Sequence, residues 1–342
     1  MCHFLTDWKN CFGKKIFEMK KISAVIPTIG RPKYLDKAIA SLLHQIVPFD
    51  EVVIFDNSKT QNLREFSSFA NDSRLRWENS GKYLDALVSW NTAVSLCRNE
   101  YVTIFGDDDL AFPTFHKKAQ FLLERSDFCV LPFERIDEND KKIKNYMGIF
   151  EDLRPSSFRF LRMKGKLDLV VPGVVFKKDK FKQVGSFTDV GLPNYLFPDD
   201  FLWFKLSACE QNVAVSGEVC WQYRVHSERL GALQTLQHFS GRFGKFTDLL
   251  ISSMKQLELS ESEIFPPDFN KQCYIDRCMS EWFGAVVRNQ IKSNRFTLMA
   301  LVRELYFYLT SEATFKSKMK GFFKIISMLF YGGIKRCRGA FR

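Results

Sequence analysis

The sequence contains no run of about 18 uncharged apolar residues, which argues against a membrane-spanning helix. Residues 1–21 lack the continuous apolar core of a signal peptide. Neither G-x-G-x-x-G nor G-x-x-x-x-G-K-[ST] occurs, so neither a dinucleotide fingerprint nor a P-loop is supported. Glycine and proline are scarce, at 18 and 11 of 342 residues, and no internal repeat is present, which excludes fibrous and low-complexity classes. The nine cysteines are odd in number and scattered through mainly apolar segments, so they form no disulfide framework. They predict reduced thiols in a cytoplasmic protein. Cys273 and Cys278 have neither a second pair nor a neighbouring His, which argues against zinc.

An excess of basic over acidic residues is also missing from the body of the chain, despite a net charge of +11. Five Lys against Asp7 and Glu18 leave residues 1–21 at +3, and eight Lys or Arg with no acid put residues 316–342 at +8. Residues 22–315 are therefore formally neutral, and a nucleic-acid groove, which needs its cations on the folded body, is not expected.

What the chain does have is an apolar inventory of 46%, including 35 Phe, enough to bury a full core. Short apolar runs alternate with helical patterns. Lys20–Pro27, Glu51–Asp56, Leu75–Trp77, Tyr101–Phe105 and Phe128–Phe133 read as strands. Pro32–Gln45 and Asp85–Cys97 read as helices between them. This alternation predicts a mostly parallel α/β sheet flanked by helices. In such sheets a ligand binds outside the carboxyl ends of the strands. There the sequence places Thr28, Arg31, Asp56, Asn79, Gly81 and the run Asp107-Asp108-Asp109. Three adjacent carboxylates at the end of a buried strand repel one another, so a cation or solvent must take up the charge, and a metal ion is the first candidate.

Further along, Asp168–Phe176 reads as a strand pair or a bulged strand, and Pro198-Asp199-Asp200 opens an amphipathic helix. Cys220–His226 reads as a strand ending in a histidine, while Glu134–Lys166 shows no clear periodicity and is expected to be an acceptor loop or lid. Helical periodicity then takes over at residues 241–256, 269–290 and 295–309, and a final helix follows from Thr314. On its wheel Lys316, Lys320, Lys324, Ser327 and Tyr331 share one face, opposite Met319, Phe322, Ile325, Ile326, Leu329 and Phe330. A basic amphipathic segment predicts contact of residues 314–331 with an anionic membrane surface.

The series Val25-Ile-Pro-Thr28, Phe55-Asp-Asn-Ser58, Asn79-Ser-Gly81 with Trp90-Asn91, Phe105-Gly-Asp-Asp-Asp109, Gly185-Ser-Phe187, Asp199-Asp200 and Arg224-Val-His226 resembles the family-two glycosyltransferases over roughly residues 21–230. The resemblance implies a GT-A fold, a Rossmann-like sheet, and inverting transfer of a sugar from a nucleotide-sugar donor, a UDP-sugar first. The acceptor implied is a glycan or lipid-linked glycan in cell-envelope polysaccharide synthesis. By the same resemblance Pro27, Thr28, Arg31 and Asp56 hold the base and ribose, and Asn79 and Gly81 complete the base pocket. Asp107 faces the ribose, and Asp109 binds Mn²⁺ or Mg²⁺ together with Asp107 and His226. Asp108 meets either the metal's water shell or the sugar. Asp200 is the implied base and Asp199 orients acceptor or sugar, although the family's usual Glu-Asp leaves the choice between the two open. Arg224 and Arg229 are candidates for the diphosphate.

The implied organisation is a basic extension over 1–20, a transferase domain over 21–230, a helical region over 231–313 and a basic tail over 314–342. The expected location is cytoplasmic, peripheral on the inner membrane face. A nucleotidyltransferase of similar fold and a non-catalytic sugar- or ion-binding adaptor are the alternatives.

Overall fold

The computed structural model of the protein describes residues 19–60, 62–143, 150–191, 197–226, 242–292 and 297–325. The extension 1–18, Arg229, the expected boundary near residue 230 and residues 326–342 lie outside them. Four neighbouring parallel strands form one side of a large sheet, with β3 at its edge: β1 (Ile22–Thr28), β2 (Glu51–Asp56), β3 (Leu75–Asn79) and β4 (Tyr101–Ile104). They are connected by α1 (Pro32–Leu43), α2 (Leu63–Phe66) and α3 (Ala86–Leu96). Every residue of β4 and nearly every residue of β1 is buried, as required of strands covered on both faces. Pro32 opens α1 and the Asp85 carboxylate caps α3 by accepting from the Leu87 N–H, so both helices begin where the local chemistry places them.

After β5 (Leu110–Ala111) and α4 (Phe115–Leu122), the stretch expected as one strand over Phe128–Phe133 divides into β6 (Phe128–Val130) and β7 (Phe133–Ile136). The break falls at Leu131-Pro132, where proline has no N–H for a ladder and the chain passes from the large sheet to a small one. Glu134–Lys166 is likewise more ordered than expected, with the end of β7, β8 (Lys142–Ile143) and α5 (Pro155–Met163). The strand pair expected over Asp168–Phe176 reduces to β9 (Val174–Lys177). Pro172 removes a donor, and Gly173 takes φ +80, where an added Cβ would lie within 2.7 Å of the Leu131 carbonyl.

The remaining elements are α6 (Lys178–Gln183), α7 (Pro198–Ala208), β10 (Ala214–Val215), β11 (Trp221–Arg224), α8 (Arg242–Gln256), α9 (Glu261–Ile264), α10 (Lys271–Lys292) and α11 (Leu298–Leu309). The large sheet runs β10-β6-β9-β4-β1-β2-β3 with β9 antiparallel to both neighbours, and the small sheet runs β5-β11-β7-β8. This is the mostly parallel α/β architecture with a C-terminal helical region that the alternation predicted. One hydrophobic cluster continues from the sheet through Trp203 of α7 into Phe243, Met279, Tyr308 and Ile325. Trp203 sits 5.6 Å from Phe176 and 5.7 Å from Phe187, contacts that hold α7 against the sheet.

Residues 315–325 are helical. Ile325 is buried while Met319 and Phe322 are half-buried, so the expected apolar face turns largely onto protein. Lys316, Lys320 and Lys324 are exposed, together with Phe315 and Phe323. Among the described residues, no helix is long and apolar enough to cross a membrane.

Candidate active site

Gly106 and the three aspartates form a tight turn after β4, and each carboxylate has a different environment. Asp107 is buried, with Oδ2 accepting from Thr28 Oγ1 at 2.6 Å and Oδ1 from Arg31 Nη1 at 2.7 Å. Asp108 Oδ2 accepts from the same Arg31 nitrogen at 3.1 Å and faces His226 Nε2 at 2.7 Å. Asp109 is also buried, and its Oδ1 accepts the Arg224 N–H at 2.9 Å. Burial, and then the neighbouring Asp108 charge, push the Asp109 carboxyl well above the usual carboxylate range. Burial raises Asp107 too, against the opposing pull of Arg31.

Asp109 Oδ2 and Asp108 Oδ1 point to the same place. A Cβ added at Gly106 would lie 2.5 Å from the first and 2.7 Å from the second. Two carboxylate oxygens converging on one glycine, in a turn of excess negative charge, suit a hard divalent cation that takes its other ligands from a phosphate and water. The residues present thus fit Mg²⁺ or Mn²⁺, although the described residues hold no ready-made cluster of three or more His, Cys, Asp or Glu ligands. His226 is turned to Asp108 and orients it.

The second group of acids opens α7. Phe197, immediately before it, has a left-handed backbone (φ +67). Conformations of this kind cost about 1–3 kcal/mol and persist only where packing imposes them. Here Phe197 stacks on Phe246 at 5.4 Å and packs edge-on to Phe243 at 5.9 Å. Asp200 is buried and forms a two-pronged pair with Arg162 of α5, Nε to Oδ1 at 2.7 Å and Nη2 to Oδ2 at 2.9 Å. Asp199 is half-buried and has no ion pair of this kind among the described residues. Burial, then the adjacent Asp200 charge, raise it from an ordinary 3.8 to about 7. Both acids line the same cavity as Asp107, Asp108 and Asp109, a cleft of about 540 Å³ along the carboxyl edge of the parallel strands. That volume is in the range of small-molecule sites.

With this geometry in view, the family model described as Glycosyl transferase family 2 matches residues 23–185. This segment is a family-2 glycosyl transferase domain. The chain is 28% identical over 156 residues to an uncharacterized glycosyltransferase of Methanocaldococcus jannaschii, covering 43% of this chain and 51% of that protein. It is 31% identical over 90 residues to the putative colanic acid biosynthesis glycosyl transferase WcaA of Escherichia coli, covering 26% and 32%. The chain thus spans about half the length of the first relative and a third of the second. The crystal structure of S. aureus TarS 1–349 in complex with UDP-GlcNAc superposes with a TM-score of 0.58 at 16% identity, over 87% of this chain and 82% of that one. That likeness shows a shared GT-A-type fold. The Asp199-Asp200 pair lies beyond the matched family-2 segment.

Pro27, Arg31, Asp107, Asp108, Asp109, Asp199 and Asp200 meet at the cavity wall. Thr28, Asp56, Asn79, Gly81 and His226 do not reach it. Thr28 supports Asp107 from behind, and Asp56 accepts the Ser58 and Leu63 N–H groups, holding the loop after β2. Asn79 accepts the Gly81 N–H in an exposed turn. Arg224, a diphosphate candidate by sequence, is instead buried and bonded to the Asp108 and Asp137 carbonyls and to Asp140. Two of the quoted motifs meet each other: Asn91 exchanges hydrogen bonds of 2.9 and 3.0 Å with the backbone of Phe187, while Trp90 beside it lines the cavity. The sequence reading missed Arg135 and Arg162, which line the cavity from a segment without periodicity, and Asp168, which was read only as the start of a strand. It also missed Asn57, although Asn57 stands inside the polar cluster ending β2.

Proposed function

We propose that the protein is an inverting, metal-dependent glycosyltransferase. It would move a sugar from a nucleotide donor, UDP-linked by preference, to a hydroxyl of a glycan or lipid-linked glycan during envelope polysaccharide synthesis. One observation carries this reading: a triple-aspartate turn and a separate acid pair, 90 residues apart in sequence, line a single cleft at the carboxyl edge of the sheet. The likeness to the putative colanic acid biosynthesis transferase WcaA supports the envelope assignment.

In this reading Arg31 and Thr28 fix Asp107 toward the ribose side of the cleft. Asp108 and Asp109 hold Mn²⁺ or Mg²⁺, which when bound would offset the charge that grows on a departing diphosphate. The acid pair takes the proton from the attacking hydroxyl. Family pattern assigns that proton to Asp200. Arg162 engages both its oxygens, so the two acids work as a unit in which Asp199, with a pKa of about 7, is poised to share a proton near neutral pH. The exposed lysines of residues 316–324 are proposed to face anionic lipid, keeping the cleft near a lipid-linked acceptor.

The test is a screen of the purified protein against UDP-, GDP-, CMP- and dTDP-sugars with Mn²⁺ or EDTA, reading nucleotide release and thermal shift. The expected outcome is stabilisation and turnover with one nucleotide class, both lost with EDTA and with Asp109→Ala. The absence of any metal-dependent response to all four classes would overturn the reading.

A further inference from the structure

A second cavity, also of about 540 Å³, adjoins the first and shares with it Arg135, Arg162, Asp168, Phe197 and Asp200. Its far wall is helical and comes from outside the family-2 segment: Tyr274, Arg277, Glu281 and Ala285 of α10. The Arg162–Asp200 pair therefore stands between two chambers. An in-line displacement at the anomeric carbon requires the hydroxyl to arrive opposite the diphosphate. The aspartate turn marks the diphosphate side and the acid pair marks the attack side, so the incoming hydroxyl enters past Asp200, from the second chamber.

The chemistry of the helical wall agrees with a hydroxyl-rich occupant. Arg277 Nη1 donates to Glu281 Oε2 at 2.7 Å one turn along, whereas Arg277 Nε is buried with no hydrogen-bond partner among the described residues. Arg277 and Glu281 both line the chamber, so guanidinium and carboxylate face an occupant as a pair. The guanidinium is held in place from the opposite side: Gly165, at φ +65, approaches so closely that a Cβ there would lie 2.6 Å from Arg277 Nη1. The Tyr274 ring lies 5.8 Å from Arg277 Cζ. Tyr274 and Asp200 line the same chamber. A carboxylate–guanidinium pair on the chamber wall suits a sugar, whose vicinal hydroxyls take paired hydrogen bonds.

We propose that this second cavity is the acceptor chamber, that it takes the terminal sugar of a glycan, and that Arg277 and Glu281 select it. The inference rests on the transfer reading above. Its consequence is a division of labour, with the donor read by the family-2 segment and the acceptor read by α10.

The test uses the full chain with the donor found in the screen and the p-nitrophenyl β-glycosides of glucose, galactose and N-acetylglucosamine as acceptor probes. Nucleotide released to water and glycoside extended are counted separately. In Arg277→Ala, and in Ala285→Phe, which fills the chamber, the ratio of transfer to hydrolysis is expected to fall about tenfold or more. Acceptor KM should rise, and melting curves distinguish this from unfolding. A ratio that stays within about twofold of the parent in both variants overturns the proposal. If the parent releases no nucleotide from any donor, the transfer reading itself has failed. In that case, or if none of the glycosides is extended, ligand-observed NMR decides. Saturation transfer to a glycoside that disappears in Ala285→Phe supports the chamber, and a signal that persists there, or no signal with the parent, overturns it.

Discussion

Replacing Asp199 by Asn should stabilise the protein, and do so more at high pH. The side chain is half-buried beside Asp200, with Arg162 as the nearby cation, and its carboxyl is raised from 3.8 to about 7 by burial and by the Asp200 charge. Between about pH 4 and pH 7 the folded protein holds a proton at Asp199 that the unfolded chain has released, so the contribution of this residue to stability falls as pH rises. Below pH 4 both states are protonated and nothing is lost; above pH 7 the full cost, about 4 kcal/mol, is in place. Asparagine mimics the protonated form at every pH. The stability gap between variant and parent should therefore widen from about 2 kcal/mol at pH 5 to about 4 kcal/mol at pH 8. For a chain of this size that corresponds to a melting-temperature gain of about 5 °C at pH 8. Paired thermal scans at the two pH values, in EDTA, measure it. A gap that does not change with pH, or a variant less stable than the parent at pH 8, would refute the account of why this carboxyl is perturbed. The same variant should lose transfer, so that stability and activity move in opposite directions.

Gly106→Ala should abolish the Mn²⁺-dependent thermal shift by UDP while leaving the melting temperature in EDTA within about 2 °C, because the atoms nearest the new methyl are the ends of the Asp108 and Asp109 side chains and not backbone. A retained metal-dependent shift would remove Asp108 and Asp109 from the cation site. Arg162→Ala should cost about 3–5 kcal/mol in urea unfolding, since it strands the buried Asp200, and adding Asp200→Asn should recover most of the loss. Equal losses in the single and double variants would show that the pair contributes nothing by its charge. Reversing Lys316, Lys320 and Lys324 to Glu should reduce flotation with anionic vesicles and leave recovery with neutral ones unchanged. Equal recovery from anionic vesicles would sink the membrane role of the tail.

The strands and helices that carry the cleft were legible because their signals are local. Glu51–Asp56 has an apolar run that stops at a polar cluster, and the helix after Asp85 has its cap in the sequence. The aspartate turn was legible for the same reason, since three carboxylates at the end of a buried strand demand compensation wherever that strand lies in the fold. Where the sequence reading failed, the controlling event was an encounter between distant segments. Pro132 marks a strand break, but only the two sheets show that the chain crosses between them there. Arg162 meets Asp200 across 38 residues, and Arg224 and His226 meet Asp109 and Asp108 across 115 and 118. No periodicity encodes such pairings. The sequence by itself determined which elements form and where charge accumulates, because those depend on neighbours along the chain. Which carboxylate is paired, which is raised and which faces a ligand was decided by tertiary structure, because burial and Coulomb interaction depend on distance in space.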